Sequence, residues 1–145
     1  MSSNFSKRDN YLRLAGFFEG EGCIMVSHQY SGKGYFLRVS VGQLIRNEHH
    51  HKFLELFREY FGGIPRIRKK PTKGGKKISY YQVNGFRAVK LLETLLPYLE
   101  EKRDRAELAI RLGKIKLNNN GKDFLKRLEK KKLAEEITRL NHLVV

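Results

Sequence analysis

The chain has 145 residues, of which 40% are hydrophobic and 31% charged, with 30 Lys+Arg against 15 Asp+Glu and a formal net charge of +15. That apolar share over one domain's length builds a single core and excludes long-chain disorder. One cysteine, Cys23, excludes an internal disulfide framework and any multi-cysteine zinc module. No apolar run approaches the roughly 18 residues that span a bilayer, and Met1-Ser2-Ser3-Asn4 lacks the basic-then-apolar order of a secretory signal. The expectation is one intracellular domain over 1–145, off the membrane, with nucleic acid as its polyanionic partner. Organelle, bacterial cytoplasm and phage-infected cell all remain open as its compartment.

Ser6-Lys7-Arg8-Asp9 reads as a capping box, so a short helix starts here and is expected to end near Glu19, before Gly20 and Gly22. The period then changes. Ile24, Val26 and His28 alternate with Met25, Ser27 and Gln29, and Leu37, Val39 and Val41 alternate with Arg38, Ser40 and Gly42. These are two strands of a hairpin around Ser31-Gly32-Lys33-Gly34. A second helix is expected over 48–61, closed by Gly62-Gly63. A third strand starts at Arg66-Ile67-Arg68, a basic turn covers 69–75, and a fourth strand covers 76–83. Helices are expected over 86–96, 98–117 and 123–143, with Pro97 as a kink or a first turn.

The order α-β-β-α-β-β-α, with extra C-terminal helices, predicts an α+β fold whose four antiparallel strands carry helices on one face. The core is expected over about 6–117 and a helical extension over 118–145. The uncovered sheet face is basic: Arg38, Arg66, Arg68 and Lys70 fall on strands or their ends. A twisted ribbon of this kind can lie in a DNA major groove, and the pattern fits a merely solvated sheet face equally well. Candidate contacts on it are Ser27, Gln29, Lys33, Arg38, Ser40, Arg66, Arg68, Lys70, Tyr80 and Gln82.

The first helix–strand junction, Leu14-Ala15-Gly16-Phe17-Phe18-Glu19-Gly20-Glu21-Gly22, carries the chemistry. Gly16 and Gly20 lie on one helix face, with Leu12, Ala15 and Glu19 beside them. Each glycine costs a helix about 1 kcal/mol against alanine, and close packing of another helix compensates. The chain has one such helix, so its mate comes from a second copy across a two-fold axis. Glu19 and Glu21 sit at a helix C-terminus, where carboxylates are unfavourable. A divalent cation reverses that penalty. The Glu21 carboxylate and the Gly20 carbonyl form a hard-oxygen site suited to Mg²⁺, and symmetry brings two such sites to the axis, as two scissile phosphates require.

This stretch resembles the signature of the LAGLIDADG homing endonucleases. Leu14-Ala15-Gly16 and Gly22 match the motif, Phe17-Phe18 are apolar variants, and Glu19 and Glu21 replace aspartates. The αββαββα order and Leu96-Pro97-Tyr98-Leu99-x-x-Lys102 match too, and the resemblance runs from about Tyr11 to Leu112. It implies a homodimeric, site-specific double-strand DNA endonuclease that hydrolyses phosphodiester bonds at a long pseudo-palindromic site. It further implies Glu21 as metal ligand with the Gly20 carbonyl, Glu19 as a structural residue at the helix end, Gln43 near the scissile phosphate, Arg46 as a basic residue after it, and Lys102 near the nucleophilic water. Mg²⁺ is the expected metal, with Mn²⁺ substituting and Ca²⁺ supporting binding without efficient cleavage. The rival is a non-cleaving intron RNA maturase or DNA-binding regulator of the same fold, which has no reason to keep two mutually repelling carboxylates on the axis.

Other residues carry less. His49-His50-His51 cannot converge on one ion in a helix, since neighbours point about 100° apart. The 69–77 cluster fits a charged loop alone and, more readily, a contact to backbone phosphate. Lys126-Arg127 and Lys130-Lys131-Lys132 fit a solvated helix face and a phosphate contact equally.

Overall fold

Ser6 and Asp9 fix the start of the first helix. In a computed structural model, which describes residues 6–28, 34–44, 52–67, 77–117 and 123–143, the Asp9 N–H donates to the Ser6 hydroxyl at 3.1 Å and the Ser6 N–H to the Asp9 carboxylate at 3.4 Å. This reciprocal pair satisfies two otherwise unpaired donors. The helix, α1, spans Lys7–Glu21 and so overruns its expected stop at Glu19. Gly20 stays helical because the Gly22 N–H still donates to the Phe18 carbonyl. Glu21 is therefore the last helical residue.

The chain passes directly from α1 into β1, Gly22–His28. Gly22 is needed for that passage through lack of room. A Cβ there would overlap the Phe18 ring and sit 2.5 Å from the Phe18 carbonyl oxygen, and Phe18 is fully buried. A clash with backbone is not relieved by a rotamer change, so Gly22→Ala is expected to lose about 3 kcal/mol of stability. Urea unfolding measures it. A loss below about 0.5 kcal/mol, the scatter of ordinary surface changes, would mean that the junction relaxes.

The strands β1, β2 (Tyr35–Leu44), β3 (Arg66–Ile67) and β4 (Ile78–Asn84) form one antiparallel sheet in the order β1-β2-β4-β3. Met25 stands opposite Arg38 and Ser27 opposite Phe36. Arg38, Ser40 and Gly42 face Asn84, Gln82 and Tyr80, and Arg66 faces Tyr80. Directly opposed residues share a face of the pleat, so the polar set forms one open surface. The alternate residues Ile24, Leu37, Val39, Val41, Tyr81 and Val83 are buried on the other.

That buried face is covered by α1, α2 (Lys52–Phe61), α3 (Gly85–Leu95) and α4 (Arg103–Lys114). Leu54, Phe57 and Phe61 of α2 turn inward; the expected start of that helix, 48–51 with its three histidines, lies outside the described residues. Gly62 and Gly63 end α2 with φ of +76° and +82°. The Tyr81 hydroxyl donates to the Gly62 carbonyl at 2.6 Å, and its ring stacks on Phe57. Burial pushes that hydroxyl up to about 12.

One predicted helix is corrected. In place of a helix over 98–117, Leu96–Tyr98 form a single 3-10 turn and α4 begins only at Arg103. The Glu19 carboxylate accepts the N–H groups of Glu100, at 2.7 Å, and Lys102, at 3.4 Å. Those donors are satisfied from α1 instead of by a helical turn. The last helix, α5 (Phe124–Leu143), packs on α4 and β1 through Leu133, Ala134 and Ile137.

Candidate active site

The outer side of α1 is open. Leu12 is 43% exposed, Gly16 and Gly20 are exposed, and a Cβ built on either glycine meets nothing within 4 Å. The described part of the chain thus demands Gly22 but neither Gly16 nor Gly20. Two residues expected on this side are placed elsewhere. Ala15 is buried in the chain's own core beside Leu14 and Phe18, because it lies about 100° around the helix from Gly16. Glu19 is engaged within the chain, through the two N–H groups described above.

The acidic end of α1 meets the turn before α4. Lys102 is nine-tenths buried, and its Nζ donates to the Glu19 carbonyl at 2.5 Å. Glu19 therefore holds Lys102 at both its backbone nitrogen and its ammonium. Burial lowers the Lys102 pKa below the ordinary lysine range; the Arg105 charge lowers it further, and the Glu19 carboxylate opposes both. Glu21, two residues beyond Glu19, is exposed at the helix end. Gln43 stands on β2 two positions past the Gly22–Val41 pair, at the end of the sheet where α1 arrives, and is half-buried. Arg46 lies outside the described residues.

The donor set of one chain is small. Among the described residues, no three His, Cys, Asp or Glu side chains converge to hold a metal ion. One exposed carboxylate and the carbonyls of a helix C-terminus are the right chemistry for a hard divalent cation. They fit only if oxygens from outside the chain complete the shell.

The open sheet face brings together Ser27, Arg38, Ser40, Arg66, Tyr80 and Gln82. Arg38 lies over the Phe36 ring at 5.6 Å, and its Nε is buried without a hydrogen-bond partner among the described residues. Gln29, Lys33, Arg68 and Lys70 lie outside the described residues. Met25, Phe36 and Asn84 share the same face. The alternation that singles out Ser27 and Arg38 also reaches Met25 and Phe36, but their apolar side chains give no polar signal. Sequence reasoning also missed Arg105 and Asn141, which join across 36 positions at 2.9 Å; nothing local in the sequence links them.

Residues 14–107 match the family described as LAGLIDADG endonuclease. The DNA endonuclease I-CvuI of Chlorella vulgaris is 30% identical over 138 residues, covering 93% of this chain and 81% of that protein. The crystal structure of I-CvuI with the I-CreI target and 2 mM Mg, in which the DNA is not cleaved, superposes with a TM-score of 0.75 at 28% identity, over 94% of this chain and 85% of that one. With I-CvuI bound to its own target in 2 mM Ca the TM-score is 0.71 at 28% identity, over 90% and 80%. An archaeal intron-encoded homing endonuclease, I-Vdi141I, complexed with DNA, shares the fold at a TM-score of 0.68 and 21% identity, over 96% and 94%.

Proposed function

The chain belongs to the LAGLIDADG endonuclease family, and on that footing we propose that two copies of it form a Mg²⁺-dependent enzyme cutting both strands of a pseudo-palindromic DNA site. The observation that carries this reading is an exposed Glu21 at the end of a helix face, Leu12, Gly16 and Gly20, that the described chain leaves empty. Packing two such faces about a two-fold axis sets a Glu21 from each copy beside the axis. The I-CvuI complexes with DNA in Mg and in Ca support the partner and the class of metal.

The chain's own residues divide the work. Glu21 and the Gly20 carbonyl would hold the cation, with the remaining oxygens to come from outside the chain. When bound there, Mg²⁺ supplies Lewis acidity to the scissile phosphate and acidifies a water. Lys102, pinned by Glu19, offers a fixed ammonium to the charge that develops on the phosphoryl oxygens, with no reorganisation during the reaction. Gln43 orients the attacking water, and Arg46 is the further basic residue of the site. The open sheet face reads bases, and the net charge of +15 supplies the sequence-independent attraction to phosphate.

The test is a randomised duplex library incubated with the protein. Cleaved molecules are expected in Mg²⁺ and Mn²⁺, binding without efficient cleavage in Ca²⁺, whose looser shell places the water less well, and no cleavage in EDTA. Cutting in EDTA would remove the metal from the mechanism, and specific binding without cutting in either Mg²⁺ or Mn²⁺ would leave a DNA-binding protein.

Arg38 gives a second prediction. It stands on the open sheet face opposite Met25 and Asn84, with its guanidinium over the Phe36 ring, a placement from which its donors can reach a guanine edge. Arg38→Ala should lose about 1–3 kcal/mol of affinity and relax preference at one position per half-site. Binding to single-base variants of a selected site measures this, and an equal loss on all of them would make Arg38 a phosphate contact.

A further inference from the structure

A cavity of about 470 Å³ opens between β1, α4 and α5, lined in part by Gly22, Cys23, Lys102, Arg105, Asn141 and His142. Two of its cations, Lys102 and Arg105, are each nine-tenths buried. Among the described residues neither forms an ion pair, and no carboxylate lines the space. The carboxylates whose charges reach Lys102, Glu19 and Glu101, are not in its walls; of the groups that favour its charge only the Cys23 thiol lines the space, and the Glu19 carboxylate is taken up by backbone N–H groups.

Arg105 is held by a neutral partner. Its Nη1 donates to Asn141 Oδ1 at 2.9 Å, and Asn141 Nδ2 donates to the Ile24 carbonyl at 2.8 Å. This bridge fixes the guanidinium between α5 and the strand that follows Glu21, but cancels none of its charge. Like charges crowded in a partly desolvated space without a counter-ion raise the energy of the free protein. An anion entering the cavity lowers it. Its walls take residues from both sides of the edge strand β1, Gly22 and Val26 from the side of Ile24 and the exposed Cys23 and Met25 from the other, so the cavity lies at the sheet edge and reaches the open face.

We propose that this cavity is a phosphate-binding pocket, with Arg105 as its principal cation and Asn141 as the residue that orients it, and that it receives a non-scissile phosphate of the DNA backbone next to the cleaved bond. The assignment rests on the endonuclease reading for the identity of the strand, whereas the phosphate chemistry follows from the cavity alone. It gives the C-terminal helix a part in the site. The last turn of α5 positions a cation beside Lys102.

The test uses the full chain and a duplex that the wild type binds, in metal-free buffer. Single methylphosphonates, each removing one backbone charge, are walked along both strands. At one position per half-site, neutralisation should weaken wild-type binding about tenfold but Arg105→Gln binding less than about twofold, with the salt slope of the variant shallower by about one. Arg105→Lys keeps the charge and should keep most of the coupling, and Asn141→Ala should reduce it. Equal sensitivity of wild type and Arg105→Gln at every position would overturn the assignment. In a second arm inorganic phosphate is titrated without DNA while the His142 ring resonance is followed. Saturation below about 1 mM with no coupled backbone position would make the ligand a free anion and overturn the DNA assignment. A wild-type chain that bound no duplex would instead overturn the endonuclease reading, and a chain that also ignored phosphate would overturn the pocket.

Discussion

Glu21→Gln is expected to reduce DNA cleavage in Mg²⁺ by several orders of magnitude while leaving the fold and DNA binding intact. The two side chains are nearly isosteric, and Glu21 is exposed, so no packing is lost. The neutral amide is a poor ligand for a hard cation, so on the proposed reading the site would lose the ion whose Lewis acidity the cleavage needs. Binding in metal-free buffer should hold or tighten. Each copy sheds a negative charge next to DNA, and the two copies shed a repelling pair at the axis. Single-turnover cleavage and a binding isotherm on the same duplex measure both effects. Cleavage by Glu21→Gln at the wild-type rate would show that Glu21 is not the ligand.

Gly16→Leu is expected to separate folding from assembly. A leucine there meets nothing within 4 Å of its Cβ in the chain's own structure and improves on glycine in a helix by roughly 0.8 kcal/mol. The isolated chain should therefore fold at least as well as wild type, with unchanged helical circular dichroism. The dimer should not form, because the added side chain stands where the partner helix approaches. Sedimentation at micromolar concentration should give a dimer for wild type and a monomer for Gly16→Leu, with double-strand cleavage lost in the variant. A dimeric Gly16→Leu that still cuts would place the interface elsewhere. The contrast with Gly22 is informative, since Gly22→Ala damages the chain itself through Phe18.

Features set by near neighbours were legible in the sequence. The capping box of Ser6 and Asp9 and the alternation along β1 and β2 follow from local spacing, and the structure forms them there. Tyr80 and Gln82, expected on the face of Arg38, are placed there by the pairing of β2 with β4. Features that need a distant partner were not. The late start of α4 depends on a carboxylate 81 positions earlier in the chain, which takes the Glu100 N–H. The persistence of α1 through Gly20 depends on the Phe18 carbonyl keeping its donor, which outweighs a propensity penalty of about 1 kcal/mol. The motif drew Ala15 and Gly16 onto one face together, but one residue is a large rotation in a helix, and Ala15 went to the core. Glu19 was read both as structural and as part of the α1 packing face. The geometry gives it a definite task, that of holding Lys102 by its backbone and its ammonium.

The central claim is that one chain holds half of a symmetric cutting site. The most direct measurement is the sequence of the duplexes cleaved in Mg²⁺ from a fully randomised library. A two-fold assembly with one sheet per half predicts an inverted repeat of about 20 base pairs, two half-sites each roughly one helical turn long, cut at positions related by the same two-fold axis. A single unrepeated half-site, or cleavage of one strand only, would contradict it.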